Sequence, residues 1–247
     1  MHTEKKITLQ QASLGYRKSG KSITILENLD LDFCAGDFTG IVGLNGTGKS
    51  TLLKTLCGLL PPLKGNIYLE GENMRNVPLS ALATKVSVVL TEKLGGFNLK
   101  TGDVVAAGRI PYTNAFNHLR PEDNALIDAA MEQCGIKDHR EKPVHELSDG
   151  LFQKTVIAKS LAQQTPVMLL DEPSAFLDYR SKHELFLLLQ KLAVEERKCI
   201  LLSSHDLDLI LKYCHKVLIV SSGQARLTGV SEARADEAFV RIAGGYL

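Results

Sequence analysis

The chain has 247 residues, of which 44% are hydrophobic and 23% charged, and its formal net charge is +1. That length can bury a real core, and so even a charge balance gives no electrostatic case for nucleic acid or an anionic membrane surface. The five cysteines (Cys34, Cys57, Cys134, Cys199, Cys214) are scattered, with no C-x-x-C pair and no metal spacing, so they read as small core residues in a reducing compartment.

The first ten residues, MHTEKKITLQ, lack the apolar core of a secretion signal. No apolar run further on approaches the roughly 18 residues that span a bilayer. Both features point to a cytosolic protein. Residues 6–14 and 23–33 are predicted strands, the second alternating apolar and polar from Leu29 to Phe33 after β-branched Ile23, Thr24 and Ile25. DFTGIVG (37–43) is a short buried strand that runs into a glycine-rich loop. The helix that follows has apolar spacing at Leu52, Leu53, Leu56, Leu59 and Leu60, and it stops at PPLKG. NIYLEG (66–71) and KVSVVL (85–90) are further strands. From about 101 to 164 the pattern turns helical: TGDVVAAGR, PEDNALIDAAMEQCG and SDGLFQKTVIAKSLAQQ. Strand and helix then alternate through PVMLLDE, RSKHELFLLLQKLAVEER, CILLSSH, DLDLILKYC and KVLIVSSG, which implies parallel pairing and a sheet covered on both faces. The expected fold is an α/β core carrying a helical insert.

Two stretches satisfy the phosphate-loop pattern G-x-x-x-x-G-K-[ST]: GYRKSGKS (15–22) and GLNGTGKS (43–50). The pattern works only where a strand delivers the loop and a helix leaves it, so that backbone N–H groups and the helix dipole converge on phosphate. The second loop meets this condition. Gly43, Gly46 and Gly48 allow a tight path, Lys49 reaches the β and γ phosphates, and Ser50 can ligate Mg²⁺. The first loop is followed by β-branched, alternating residues and is predicted to be a polar hairpin turn. Downstream, VMLLDE is an apolar strand ending in two acids. Asp171 can hold the Mg²⁺ shell, and Glu172 can polarise a water for attack on the γ-phosphate. LSDG opens an amphipathic helix with Ser148 as N-cap, where bare N–H groups make an anion site.

Together these residues resemble the ATP-binding cassette (ABC) ATPase family, nearly end to end. GLNGTGKST is similar to its Walker A, VMLLDE to its Walker B and LSDGLFQK to its signature. SAFLD (174–178) is similar to its D-loop, and SSHD (203–206) to its switch-histidine segment. The implied fold is a P-loop core, mostly parallel with an antiparallel β subdomain, forming one domain over 1–247 with a helical insert at about 99–164. The implied ligands are ATP and Mg²⁺. The resemblance assigns nucleotide contacts to Tyr16, Gly43, Leu44, Asn45, Gly46, Thr47, Gly48, Lys49, Ser50, Thr51, Ser148, Gly150 and Asp178, metal contacts to Ser50 and Asp171, and catalysis to Glu172 and His205. Tyr16, within the first loop, stands where the family stacks an aromatic ring on adenine, a contact of about 1–3 kcal/mol by analogy with single-strand binders.

Two departures stand out. Asp149 occupies a usual signature glycine, and Leu151 a usual Gln or Glu; a carboxylate in a helix's first turn is favoured by the dipole by roughly 0.3–1 kcal/mol. Thr91 or Glu92 occupies the place of a glutamine that contacts Mg²⁺, water and the membrane partner. One P-loop and one signature per chain imply a head-to-tail pair of cassettes, expected to be a homodimer, that drives integral membrane permease subunits from the cytoplasmic face of the membrane. Residues 99–134 resemble the helical subdomain of the ferric siderophore, haem and cobalamin importers, with Arg109–Arg120 as an exposed loop for docking the permease. A periplasmic or lipoprotein substrate-binding protein is then an indirect partner. A soluble ABC protein or an ATP-gated switch is the alternative, but the chain shows no coiled-coil insert, zinc module or basic patch for nucleic acid, and Glu172 and His205 speak for hydrolysis.

Overall fold

A computed structural model describes residues 4–18, 20–90, 99–113 and 118–244. The chain opens with a long hairpin, β1 (Lys5–Lys18) against β2 (Lys21–Cys34). Its closing pair is Lys18↔Lys21, with Gly20 at φ 76°, a left-handed turn position that costs glycine nothing. GYRKSGKS is thus a hairpin tip, as its alternating flank predicts. Both strands outrun their predicted bounds. The alternation that would mark β1 is interrupted at Gln11 (φ 46°), where the register slips between Leu9 and Ala12. β3 (Phe38–Val42), α1 (Lys49–Leu56), β4 (Lys64–Leu69) and β5 (Glu72–Asn73) follow. Among the described residues β2, β1, β4 and β5 form one antiparallel sheet in that order.

The remaining elements are α2 (Leu79–Lys85), β6 (Val86–Val89), α3 (Thr101–Ala106), α4 (Pro121–Gln133), α5 (Asp149–Ala162), β7 (Val167–Asp171), α6 (Tyr179–Glu195), β8 (Cys199–Ser203), α7 (Leu207–Tyr213), β9 (Lys216–Ser221), β10 (Gln224–Gly229), α8 (Val230–Ala233) and α9 (Glu237–Ile242). The second sheet runs β10-β9-β3-β8-β7-β6; its pairs are parallel except β9–β10. This is the P-loop architecture expected of the ABC resemblance. Its central strands are apolar at nearly every position because both faces are covered. Along β7, Val167 and Leu169 enter the core shared with α1 and the antiparallel sheet, while Met168 and Leu170 enter the core shared with α5 and α6. The helices α3, α4 and α5 pack on one another and feed Val105, Ile127, Met131, Ile157 and Leu161 into that second core.

Several elements escaped sequence reading. α2 is short and buries only Leu82, and β10 is an antiparallel edge strand whose side chains are exposed or half-buried. α3 ends earlier than its pattern suggests and passes into a 3₁₀ stretch, Ala107–Tyr112, that carries Pro111. Four cysteines are buried and Cys57 is half-buried; all five are free thiols. Thr91 and Glu92 lie outside the described residues. No helix among the described residues is long and apolar enough to cross a membrane.

The expected exposure of Arg109 needs correcting. Its side chain is buried, Nε donating to Asp123 Oδ1 at 2.8 Å and Nη1 to the Ala162 carbonyl at 2.9 Å, with the guanidinium 4.0 Å over the Tyr112 ring. Arg109 therefore bolts α4 and α5 together instead of presenting a charge to a partner. Asp123 also caps α4 through the Arg120 N–H at 2.9 Å, and these two contacts hold its carboxyl below the usual carboxylate range. Removing one partner of a buried pair costs about 3–5 kcal/mol. The retained Arg120 contact places Arg109→Met near the low end of that range, read as a lowered midpoint in urea unfolding with the slope unchanged.

Candidate functional site

The loop 43–50 joins the C-terminal end of β3 to α1. Gly48, the residue before α1, sits at φ 111°, a conformation only glycine takes without strain. α1 has no capping side chain and no acid in its first turn. An uncapped start of this kind, with its dipole unneutralised, invites an anion. Lys49 is folded back across the loop, its ammonium donating to the carbonyls of Gly43 at 2.7 Å and Leu44 at 3.2 Å. Burial holds this ammonium below its ordinary 10.5, against the upward pull of Glu172 and Asp171.

The acids arrive on β7, which pairs in parallel with β8 so that Asp171 stands opposite Ser203. The Ser203 hydroxyl donates to Asp171 Oδ1 at 2.6 Å and accepts the Glu172 N–H at 3.0 Å. Glu172 itself takes a left-handed φ of 49°, which a non-glycine residue keeps only when its surroundings insist. Its Oε1 lies 3.3 Å from Nε2 of His205. The pair is close enough for charge interaction yet lacks hydrogen-bond alignment, so this buried oxygen accepts no hydrogen bond from any described residue. Burial pushes the Glu172 carboxyl above its ordinary 4.5; His205 and Lys49 pull it down, and Asp171 pushes with burial. A strained, desolvated carboxylate with an unmet acceptor beside a cationic loop is poised to take a proton from a bound water.

One cleft of about 340 Å³ gathers Tyr16, Asn45, Gly46, Gly48, Lys49, Ser50, Thr51, Asp171, Glu172 and His205. Tyr16 reaches it from β1, its hydroxyl 2.6 Å from Thr51 Oγ1 and the residue 40% exposed. Leu44 and Thr47 line a neighbouring cleft with Val220, Arg226 and Asp236, and Gly43 is buried at the loop's start. Ser148, Gly150 and Asp178 do not join the loop cleft. Ser148 caps α5, its Oγ accepting from Leu151 N at 3.3 Å. Asp178 caps α6, taking the Ser181 N–H at 2.8 Å and the Ser181 hydroxyl at 3.0 Å. Gly150 packs against the backbone of the 174–178 segment: a Cβ there would stand 3.3 Å from the Phe176 carbonyl oxygen. Sequence reading missed Ser203 as the clamp on both acids. Its signal was present, because a hydroxyl at the end of an otherwise apolar buried strand must find a polar partner.

Comparison with known proteins gives the family and the fold. Residues 26–175 match the family described as ABC transporter. An uncharacterized ABC transporter ATP-binding protein of Methanocaldococcus jannaschii is 38% identical over 223 residues, covering 90% of this chain and 76% of that protein. The ferric enterobactin transport ATP-binding protein FepC of Escherichia coli is 34% identical over 236 residues, covering 95% and 86% respectively. Among solved structures, CbiO1 of Clostridium perfringens, part of the ABC transporter complex CbiONQ, superposes with a TM-score of 0.79 at 26% identity over 99% of this chain and 96% of that one. The family match spans more than half the chain and the relatives cover most of it: this protein belongs to the ABC transporter family, as one of its ATP-binding ATPases.

Proposed function

We propose that this chain energises import of an iron complex (siderophore or haem) or of cobalamin through a membrane permease, hydrolysing ATP at a site completed by a second copy. The observation that carries the hydrolytic part is the meeting, in one cleft, of Lys49 with the 3.3 Å Glu172–His205 pair. The loop 43–51 takes the phosphates, with Lys49 leaving its two carbonyls for the β and γ oxygens, and Tyr16 takes the adenine face. Glu172 accepts a proton from the attacking water. His205 steadies the γ-phosphate and the developing charge. The cleft's donors fit a hard cation, since a serine hydroxyl and a carboxylate are oxygen ligands. Ser50 and Asp171 would hold Mg²⁺, which when bound neutralises charge on the β and γ oxygens. Among the described residues no cluster of three His, Cys, Asp or Glu forms an all-protein cage.

On this reading residues 1–247 are one ATPase domain with its helical insert at about 99–164. Two copies would pair head to tail: Ser148 and Gly150 stand outside their own chain's loop cleft and would meet phosphate on a partner's, while Asp178, whose carboxylate caps α6, would lie beside the partner's nucleotide without holding its phosphates. The pair sits at the cytoplasmic face of the membrane, bound to the permease, while a substrate-binding protein outside the membrane delivers cargo without touching this chain. Support for the cargo class is the resemblance of 99–134 to the importers named above and the likeness to a ferric enterobactin transport subunit.

Lys49→Ala is expected to abolish ATP binding in calorimetry, whereas Lys21→Ala leaves it unchanged; loss in the second variant would return the decoy loop to the site. Glu172→Gln is expected to bind ATP, accumulate closed dimers in size exclusion and hydrolyse almost nothing. Because the base works only when ionised and burial raises its pKa, the acid limb of the parent rate profile should lie above pH 4.5. A limb at or below the ordinary glutamate value counts against Glu172 as the base. Finally, ATPase activity in proteoliposomes should rise when a permease of the iron-complex or cobalamin class is included, with cargo uptake in parallel. Stimulation only by a permease of another cargo class would keep the ATPase and discard the cargo. Stimulation by DNA or ribosomes instead would reject transport.

A further inference from the structure

His205 is held in place by its neighbours more than by its own ring. The side chain is 55% exposed, yet the residues on either side of it are tied down. Ser204 is buried, its Oγ accepting the Asp206 N–H at 3.0 Å and standing 3.3 Å from the buried Ser174 hydroxyl. The Asp206 carboxylate takes the Ser174 hydroxyl on Oδ2 at 2.9 Å and the Lys182 ammonium on Oδ1, also at 2.9 Å. Lys182 projects from the first turns of α6, immediately after the 174–178 segment, and its side chain is 25% exposed against 30% for Asp206. His205, Lys182 and Asp206 line one cleft of about 700 Å³, and His205 also lines the loop cleft.

We infer that Lys182 is a positioning residue for His205: by neutralising and holding Asp206, it fixes the backbone turn that aims the imidazole at Glu172. Without the ammonium, the Asp206 carboxylate keeps the Ser174 and Ser204 hydroxyls and is drawn toward water. The turn then loses its charged anchor on α6. Ser174 and Ser204 can still meet, so the fold persists while the ring's direction loosens. The expected loss is therefore in turnover and not in nucleotide affinity. A misplacement of about 1 Å costs up to roughly a hundredfold in rate, and a loosened turn with part of its contacts intact is expected to cost about tenfold.

The inference rests on the assignment of His205 to the γ-phosphate, so the test separates the two. The full chain is prepared as Lys182→Met, Lys182→Arg, His205→Ala and the double variant Lys182→Met/His205→Ala. ATP affinity comes from calorimetry, and turnover and KM come from hydrolysis with MgATP. Lys182→Met is expected to lower kcat about tenfold with KM and ATP affinity within about twofold, a loss confined to the transition state. Lys182→Arg should recover most of it, and Lys182→Met should cost nothing more once His205 is gone. Unchanged kcat in Lys182→Met overturns the inference, as does an equal loss in the His205→Ala background. Parent turnover in His205→Ala overturns the assignment of His205 itself, and the inference with it. If hydrolysis in His205→Ala is too slow to measure, the ring carbon resonance of His205 in ¹³C-histidine-labelled protein decides. It should shift or broaden in Lys182→Met while histidines other than the adjacent His183 stay in place, and an unmoved His205 resonance overturns the inference.

Discussion

The register of two buried parallel strands governs the site. β7 and β8 are apolar along almost their whole length, and each ends in polar residues at the same level, Asp171 facing Ser203. A carboxylate there cannot be left without a donor, because an unmet buried charge costs several kcal/mol. The Ser203 hydroxyl meets it, and by accepting the Glu172 N–H it also sets the backbone of the next residue. A slip of one residue would turn every side chain of β7 to the opposite core and bury Asp171 among leucines. The packing that stabilises the fold is thereby the same packing that fixes where the acids stand.

Electrostatics at this strand end work as a set of mutual corrections. Burial depresses Lys49 and raises Glu172, so each is driven toward neutrality, and each restores part of the other's charge. Asp171 adds negative charge that favours the ammonium and disfavours the second carboxylate. With Lys49 turned onto the Gly43 and Leu44 carbonyls, the positive end of the cleft is satisfied by weak dipoles. Phosphate oxygens are stronger acceptors than carbonyls, so the lysine has every reason to exchange one set for the other. On the negative side Glu172 keeps an acceptor atom without a hydrogen bond, which on the proposed reading one O–H of the attacking water would meet.

Much of this was legible in the sequence because it depends on local chemistry. A strand, a glycine-rich turn and a helix around Lys49 can be read from residues 37–60, and the same pattern around Lys21 can be dismissed because β-branched residues follow it. The acids at the end of VMLLD and the histidine after CILLSS are similarly marked by the sudden end of an apolar run. What stayed hidden depends on distant partners. Arg109 looks like an exposed loop cation until Asp123 and the Ala162 carbonyl close around it, 14 and 53 residues further along the chain. Asp178 reads as part of a ligand motif, and the cap it makes on α6 is a second role that the motif does not announce. Ser203 carried a signal, a hydroxyl ending an apolar run, but which groups it meets is set by the pairing of β7 with β8, a tertiary fact.

The same contacts explain how a second copy could control chemistry in the first. On the proposed reading the start of α5 receives the partner's phosphate. It packs through Gly150 on the Phe176 carbonyl, within the segment that begins at Ser174. Ser174 hydrogen-bonds to Asp206, and Asp206 adjoins His205, which faces Glu172. Contact therefore runs without a break from the helix that would sense one ATP to the base that would hydrolyse the other. The links are a backbone contact at Gly150 and hydrogen bonds that meet on the buried Ser174 and Ser204 hydroxyls. A larger side chain at Gly150 would press on the Phe176 carbonyl from within the same chain, so glycine there keeps the α5 start able to approach a partner without first displacing its own 174–178 segment. On that reading the two halves of the site would be coupled by contact along the chain, with the Asp206 carboxylate and its Lys182 ammonium lying within the path.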